Sequence, residues 1–367
     1  MLKYNRLSAA WLIAAALAVP SIASQTWHLS SQKGWESISD NPEGQFLLAI
    51  SKIKQQIDSG SSQHALQALK TLKNDYPQFA GPALDLYIEA ERSYIKGNLS
   101  KAAKQYSRCL SEYPDSPLQA AASERLYAIG TAYASGQKRV FIKILRFSAH
   151  EEGEKILRDL ADRGGNSPLA YRSLLTVAEN QERRKQYLDA YQTWAEIADR
   201  WPTGTTGQQA LLRMAQSLHA AYRSPHYDAT VLRGAGSYFE DYKNRYEASA
   251  KELQISETLE LITEQQAYKT FFVGLYYEKV EKIEPAKIYY QTAMTQWPKT
   301  RAAEMAQSHL DAIERGDSLL PPKSVRRNLT DFGGRFLDKW FGLSYILNLP
   351  SGEEPSPEPA QLKMSDL

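Results

Sequence analysis

Apolar residues along this chain recur every three or four positions over long stretches, the period of helices with one buried face. Ala102, Tyr106 and Leu110 step by four, and Tyr187, Ala190, Tyr191, Trp194, Ile197 and Ala198 make one broad apolar stripe. No stretch alternates apolar and polar residues convincingly as a half-buried strand does, so the pattern predicts an all-α chain. Four helical stretches end on an aromatic followed by proline: Tyr76-Pro77, Tyr113-Pro114, Trp201-Pro202 and Trp297-Pro298. Eight residues before each proline stands a leucine or an aromatic: Leu69, Tyr106, Trp194 and Tyr290. Four earlier is an alanine in every case: Ala65, Ala102, Ala190 and Ala286. Twelve earlier again are Ile53, Ala90, Ala178 and Gly274.

The spacing has a physical cause. A small residue on helix A of a unit lets its partner approach closely, and the alanine sits on helix B where the two cross. The large side chain four residues on is one turn along the same face, where it fills the space between units. Proline then ends helix B because it cannot continue the hydrogen-bond ladder. Together these positions make the tetratricopeptide signature, a helix–turn–helix unit of about 34 residues. Gly153, Leu157 and Gly165 occupy a degenerate third unit. Ala235 and Phe239 mark a fifth, with Glu247 where the proline would be. The expected fold is an all-α tetratricopeptide-repeat superhelix of about six helix-turn-helix repeats, spanning residues 42–315.

The ends follow other patterns. Lys3 and Arg6 precede an apolar run over residues 9–19 (AAWLIAAALAV), and Pro20 and small residues follow it. This is the form of an export signal, with cleavage expected near Ala23 and a linker over 24–41. Removing residues 1–23 takes Lys3 and Arg6 away and leaves basic and acidic residues balanced at 42 each. So neutral a chain lacks the basic face of a nucleic-acid binder, and none is expected as a partner. The one cysteine, Cys109, cannot form an internal disulfide, and it does not follow the signal as a lipoprotein cysteine would.

Residues 138–147 (KRVFIKILRF) interrupt the third unit and are basic and apolar together. Two readings stand, an extra helical turn packed on its own repeat or a contact to a partner or to membrane headgroups. Residues 316–350 lead from a loop into a basic amphipathic helix, with Phe332, Phe336, Leu337, Trp340 and Phe341 on one face and Arg326, Arg327, Arg335 and Lys339 around them. That helix can cap the array, dock on another protein or lie in a membrane interface. The proline- and glutamate-rich end, 351–367, has the composition of a disordered tail.

Catalytic chemistry has little to stand on. The histidines at 28, 64, 150, 219, 226 and 309 include no pair at the spacing of a helical zinc site. No glycine-rich phosphate loop occurs. Gly316-Asp317-Ser318-Leu319 spells the nucleophile block of a lipase and esterase family, but it follows a repeat helix and no Asp-x-x-His comes after it. No enzyme activity, cofactor or metal is therefore expected. Binding fits the pattern better, because helix A residues line the concave face of such an array. The candidate groove residues are Tyr87, Glu91, Tyr94, Arg172 and Arg213.

The array resembles the outer-membrane assembly factor BamD and related exported tetratricopeptide proteins over roughly residues 42–312. The resemblance is carried by residues 86–116 (LYIEAERSYIKGNLSKAAKQYSRCLSEYPDS) and 268–306 (YKTFFVGLYYEKVEKIEPAKIYYQTAMTQWPKTRAAEMA), and by His226-Tyr227-Asp228-Ala229-Thr230 before helix B of the fifth unit. It implies a periplasmic adaptor at the outer membrane whose late repeats bind a barrel-assembly protein and whose early repeats meet unfolded outer-membrane substrates. The chain departs from the family in three ways. It has no lipid-anchor cysteine, the family's Lys-Arg-Gly turn reads Lys279-Val280-Glu281, and an arginine usual on the following helix aligns with Tyr289. The second reading is an exported scaffold coordinating peptidoglycan or division complexes.

Overall fold

The computed structural model describes residues 27–30, 34–37, 41–142 and 145–320. The expected signal at 1–23, the amphipathic residues Phe332, Phe336, Leu337, Trp340 and Phe341, and the tail at 351–367 all lie outside them.

Of the fourteen α-helices among the described residues, twelve form six pairs along the chain. The first pair is α1 (Pro42–Asp58) with α2 (Ser62–Asp75), and the second α3 (Pro82–Ile95) with α4 (Leu99–Glu112). The third sets α5 (Gln119–Ala134) against α6 (His150–Gly164). Next come α7 (Pro168–Arg183) with α8 (Tyr187–Arg200), and α9 (Gly204–Ala221) with α10 (Thr230–Arg245). After the short α11 (Glu247–Glu252), α12 (Ile255–Lys279) pairs with α13 (Ile283–Gln296), and α14 (Arg301–Glu314) follows. The expected six helix pairs are all present. They divide into two compact units, residues 1–125 and 126–367, with the boundary inside α5.

Four of the six helix pairs share one turn, and five share one helix B ending. The turns at 59–61, 96–98, 184–186 and 280–282 each place one residue in the left-handed region: Gly60, Gly97, Lys185 and Glu281. The amide of the next residue donates back to the last turn of helix A, as from Asn98 to Ser93 and from Lys282 to Tyr277. This satisfies carbonyls that the helix end would otherwise strand. Helix B ends on an aromatic C-cap in α2, α4, α8, α10 and α13: Tyr76, Tyr113, Trp201, Tyr246 and Trp297. All five have φ of −132° or −133°. Four precede proline, which disfavours helical dihedrals for them. Tyr246 adopts the same cap before Glu247, so proline is not required for it.

The repeated small residues lie where the spacing places them. Ala65, Ala102, Ala190 and Ala286 are fully buried, as are Leu69, Tyr106, Trp194 and Tyr290 one turn on. A Cβ on Gly274 would stand 2.6 Å from the Tyr290 ring. In the third pair, a Cβ on Gly153 would collide with the backbone of α5 at Ala134 and Gly130. Gly130 itself faces Leu157 in the way that Gly274 faces Tyr290.

Two short hairpins stand outside the helical pattern. β1 (Trp27–Ser30) pairs antiparallel with β2 (Gly34–Ser37), within the stretch read as a linker. β3 (Lys138–Ile142) pairs antiparallel with β4 (Leu145–Ser148). Residues 138–142 and 145–148, where an extra helical turn is one of the two readings of the sequence, are paired strands instead. Their β-branched and aromatic residues, Val140, Phe141, Ile142 and Phe147, suit strands better than helices.

Candidate functional site

The five candidate groove residues take up different positions. Tyr87 and Glu91 on α3 are buried, and so is Arg213 on α9. These three are interior residues rather than surface contacts. Tyr87 packs edge-on against Tyr106, with ring centroids 5.8 Å apart. Glu91 accepts from Arg125 Nε on α5 at 2.9 Å, and Arg125 Nη1 also donates to Asp58 at 2.7 Å. Burial alone works against the Arg125 charge, but the neighbouring Glu91 and Asp58 carboxylates outweigh it and hold the guanidinium above its usual range. Tyr94 is half-buried beneath Arg125, whose guanidinium lies 4.6 Å from the ring centroid. Arg172 alone of the five is exposed, and its guanidinium covers the Tyr127 ring at 4.4 Å.

Glu91 belongs to a repeated arrangement. Three pairs carry a buried helix A glutamate facing a basic residue on the following helix A or on α14: Glu91 with Arg125, Glu182 with Arg213, and Glu278 with His309. In the second unit the large helix B side chain joins them. Trp194 Nε1 donates to Glu182 at 2.8 Å, and Tyr290 Oη donates to Glu278 at 2.5 Å. Three successive helices thus meet on one carboxylate.

Their charge balance differs. Burial pushes the Glu182 carboxyl up against the opposing pull of Arg213 and Trp194. Burial also works to raise Glu278, but hydrogen bonds from His309 and Tyr290 hold it below the ordinary range. Sequence reasoning missed these clasps, although an acid and a base one repeat apart on helix A was a signal available to it.

The other chemical candidates are structural. His150 Nδ1 lies 2.7 Å from the Ala134 carbonyl, and His219 Nε2 lies 2.9 Å from Gln265 Oε1. Burial pushes the Cys109 thiol up to about 11, so little reactive thiolate exists near neutrality. Ser318 follows α14 rather than a strand, and its hydroxyl lies 3.5 Å from Glu278. Among the described residues no three His, Cys, Asp or Glu side chains are placed to hold a metal ion. Among them, too, no helix is long and apolar enough to cross a membrane.

Surface features suited to a partner lie in each unit. The first has an open cleft of about 400 Å³ between the loop after α2 and the loop after α4, lined by Phe79, Tyr113, Pro114, Pro117, Glu112 and Asp115 among others. In the second, Tyr227 and Tyr276 are 57% and 58% exposed, which is unusual for so large an apolar ring. Tyr227 sits on a tethered loop. Lys269 of α12 donates to the Pro225 carbonyl, Asp228 accepts from the Thr230 amide and hydroxyl, and the His226 ring packs edge-on to Phe272. Tyr276 rests against Tyr277, which stacks on Tyr289 of α13 at 5.5 Å.

No protein-family description and no curated protein matches the chain. Solved structures similar to it include the C-terminal part of a TPR repeat-containing protein from Cytophaga hutchinsonii, at 11% identity, with 71% of this chain and 87% of that one covered and a TM-score of 0.35. PilW, a type IV pilus biogenesis factor, matches at 16% identity over 71% of this chain and 98% of its own, with a TM-score of 0.28. A tetratricopeptide repeat protein from Parabacteroides merdae matches at 13% identity over 71% and 98%, with a TM-score of 0.30. The tetratricopeptide character of the fold rests on the chain's own helix pairs.

Proposed function

We propose that this protein is an exported, non-enzymatic adaptor that binds other proteins at the periplasmic face of the outer membrane, in the manner of the BamD component of barrel assembly. One observation carries the reading. The stretches that resemble that family, residues 226–230 and 268–306, are also where the second unit exposes Tyr227 and Tyr276 on tethered supports. Exposed tyrosines held in place are favoured anchors at protein interfaces, because little conformational freedom is lost on binding.

A second reading has its own observation. The position where the family carries an arginine is Tyr289, which stacks on Tyr277 with ring planes 15° apart. This apolar stack favours a different partner, and the alternative is an exported scaffold coordinating peptidoglycan or division complexes.

Photo-crosslinkers placed at Tyr227 and Tyr276 in intact cells, followed by mass spectrometry, separate the readings. Recovery of a barrel-assembly protein supports the first, and recovery of peptidoglycan or division proteins supports the second. A hydrolase activity abolished by Ser318→Ala would sink the adaptor reading altogether.

A further inference from the structure

We propose that the open cleft of the first unit docks one aromatic side chain of a partner protein, with a lysine or arginine beside it in the partner. The proposal rests on the reading of this protein as an adaptor and adds a second contact, away from Tyr227 and Tyr276.

The cleft has a cause in the repeat. In the first and fourth helix pairs an aromatic on helix A stands thirty residues before the aromatic C-cap of helix B, and the two rings meet. Phe46 lies edge-on to Tyr76 with centroids 5.5 Å apart, and Tyr171 lies edge-on to Trp201 at 5.4 Å. Phe46 also stacks at 4.5 Å on Phe79, three residues past the cap. The second pair keeps its cap, Tyr113, but has Ala83 where Phe46 and Tyr171 stand, and Ser116 where Phe79 stands. Two rings of the first pair's trio are therefore missing, and a methyl and a hydroxymethyl are too small to replace them. Ala83, Tyr113 and Ser116 all line the cleft. The sixth pair also has alanine at this place, Ala267, but there it is fully buried in the core that includes Ala302, Ala306 and Trp297. Ala83 is only half-buried, and its space stays open.

The lining states what fits. Phe46, Leu84 and Leu118 contribute buried apolar surface, while the rings of Phe79 and Tyr113 are half-buried. A guest ring between Phe79 and Tyr113 would make the contacts that Phe46 and Tyr171 make in their own pairs, and paired rings attract beyond the area they bury. The volume of about 400 Å³ is at the small end for ligand clefts, room for a side chain rather than a helix. The charged residues of the lining are both acids, Glu112 and Asp115, and both are exposed. Arg108 already pairs with Glu112 at 2.9 Å, which leaves Asp115 to meet a cation beside the guest ring. An acidic neighbour would be repelled, so charge selects among aromatic segments.

The test uses the full chain and a capped, labelled hexapeptide, Gly-Ser-Phe-Arg-Ser-Gly, with binding followed by fluorescence anisotropy. Alanine in place of the peptide's phenylalanine should weaken binding by at least about 10-fold, as loss of an anchor does. Glutamate in place of its arginine should weaken binding by roughly 3-fold at low salt, the effect of an exposed ion pair. In the protein, Ala83→Phe supplies the missing ring, and should block the peptide while leaving helix content by circular dichroism unchanged. Asp115→Lys, at an exposed loop position, should reverse the preference between the arginine and glutamate peptides, and it keeps the test decisive if Ala83→Phe does not fold. The proposal is overturned if the phenylalanine peptide fails to bind or binds no better than its alanine version. It is equally overturned if folded Ala83→Phe binds as well as the unaltered chain, or if Asp115→Lys leaves the preference unchanged. The adaptor reading fails separately, when crosslinkers at Tyr227 and Tyr276 recover no envelope protein.

Discussion

Arg125 and Glu91 lie 34 residues apart and meet inside the first unit, Nε to Oε1 at 2.9 Å, with both side chains 1% exposed. Removing one partner strands the other charge away from water, which costs about 3–5 kcal/mol, whereas replacing both by apolar groups is far milder. Arg125→Met should therefore destabilise the first unit by about that amount, and Arg125→Met with Glu91→Leu should recover much of it. Hydrogen exchange is the suitable measurement, because a chain of two units need not unfold in one step. Equal loss of protection in the single and double variants would show that packing volume, rather than stranded charge, sets the cost.

Gly274 predicts a steric effect. An added Cβ would stand 2.6 and 2.7 Å from two ring atoms of Tyr290, which is itself fully buried. Overpacking of this kind costs about 1–3 kcal/mol. Gly274→Ala should lower the thermal midpoint of the second unit, and should cost less in a Tyr290→Leu background where the opposing ring is gone, although Tyr290→Leu alone also lowers the midpoint by taking a hydrogen bond from Glu278. Gly234, where the nearest contact is one terminal methyl of Leu218 at 3.0 Å, should tolerate alanine better.

Lys185 and Glu281 hold left-handed φ values of 60° and 62° at turns where the first two pairs use Gly60 and Gly97. A residue with a Cβ pays roughly 1–2 kcal/mol for that conformation, from which glycine's greater freedom in the unfolded chain must be subtracted. Glu281→Gly and Lys185→Gly should each raise the melting temperature by a few degrees, and Gly97→Ala should lower it. Scanning calorimetry of the three variants checks the sign.

How far the fold was readable depends on where each residue's partner lies. Ala102 and Tyr106 were legible because both stand on one helix, and Ala90 because an ordinary turn separates it from them. Gly130 has the same role opposite Leu157, but the inserted hairpin moves it out of the spacing that exposes the others. The hairpin was obscured by its own sequence, since Val140, Phe141 and Ile142 form an apolar run with no clean alternation. Glu91 and Arg213 looked like surface residues because charged side chains normally are. Their partners, Arg125 and Glu182, lie about one repeat away, a distance no reading of a single helix can see.

The pH response of the second unit follows from His219 and Glu278. Burial lowers the His219 pKa below 6.5, partly offset by its hydrogen bond with Gln265. The folded state therefore holds the imidazole neutral where the unfolded chain would protonate it. Stability is unaffected well above 6.5 and declines as pH falls below it, because the unfolded chain then binds more protons. Glu278, held below its ordinary 4.5 once its hydrogen bonds from His309 and Tyr290 outweigh burial, adds a further loss only as pH falls below that value. Glu182, pushed above 4.5 by burial, acts in the opposite sense: the folded state takes up its proton first, so it offsets part of the histidine loss as pH falls toward 4.5 and adds nothing further below that value. His219→Gln should thus flatten the decline in melting temperature between about pH 7 and about pH 5, the range of histidine titration, and leave the steeper acid limb in place. Glu278→Gln should do the reverse, at the cost of lower stability near neutrality. A titration in which His219→Gln leaves the upper limb unchanged would move the responsible group elsewhere in the unit.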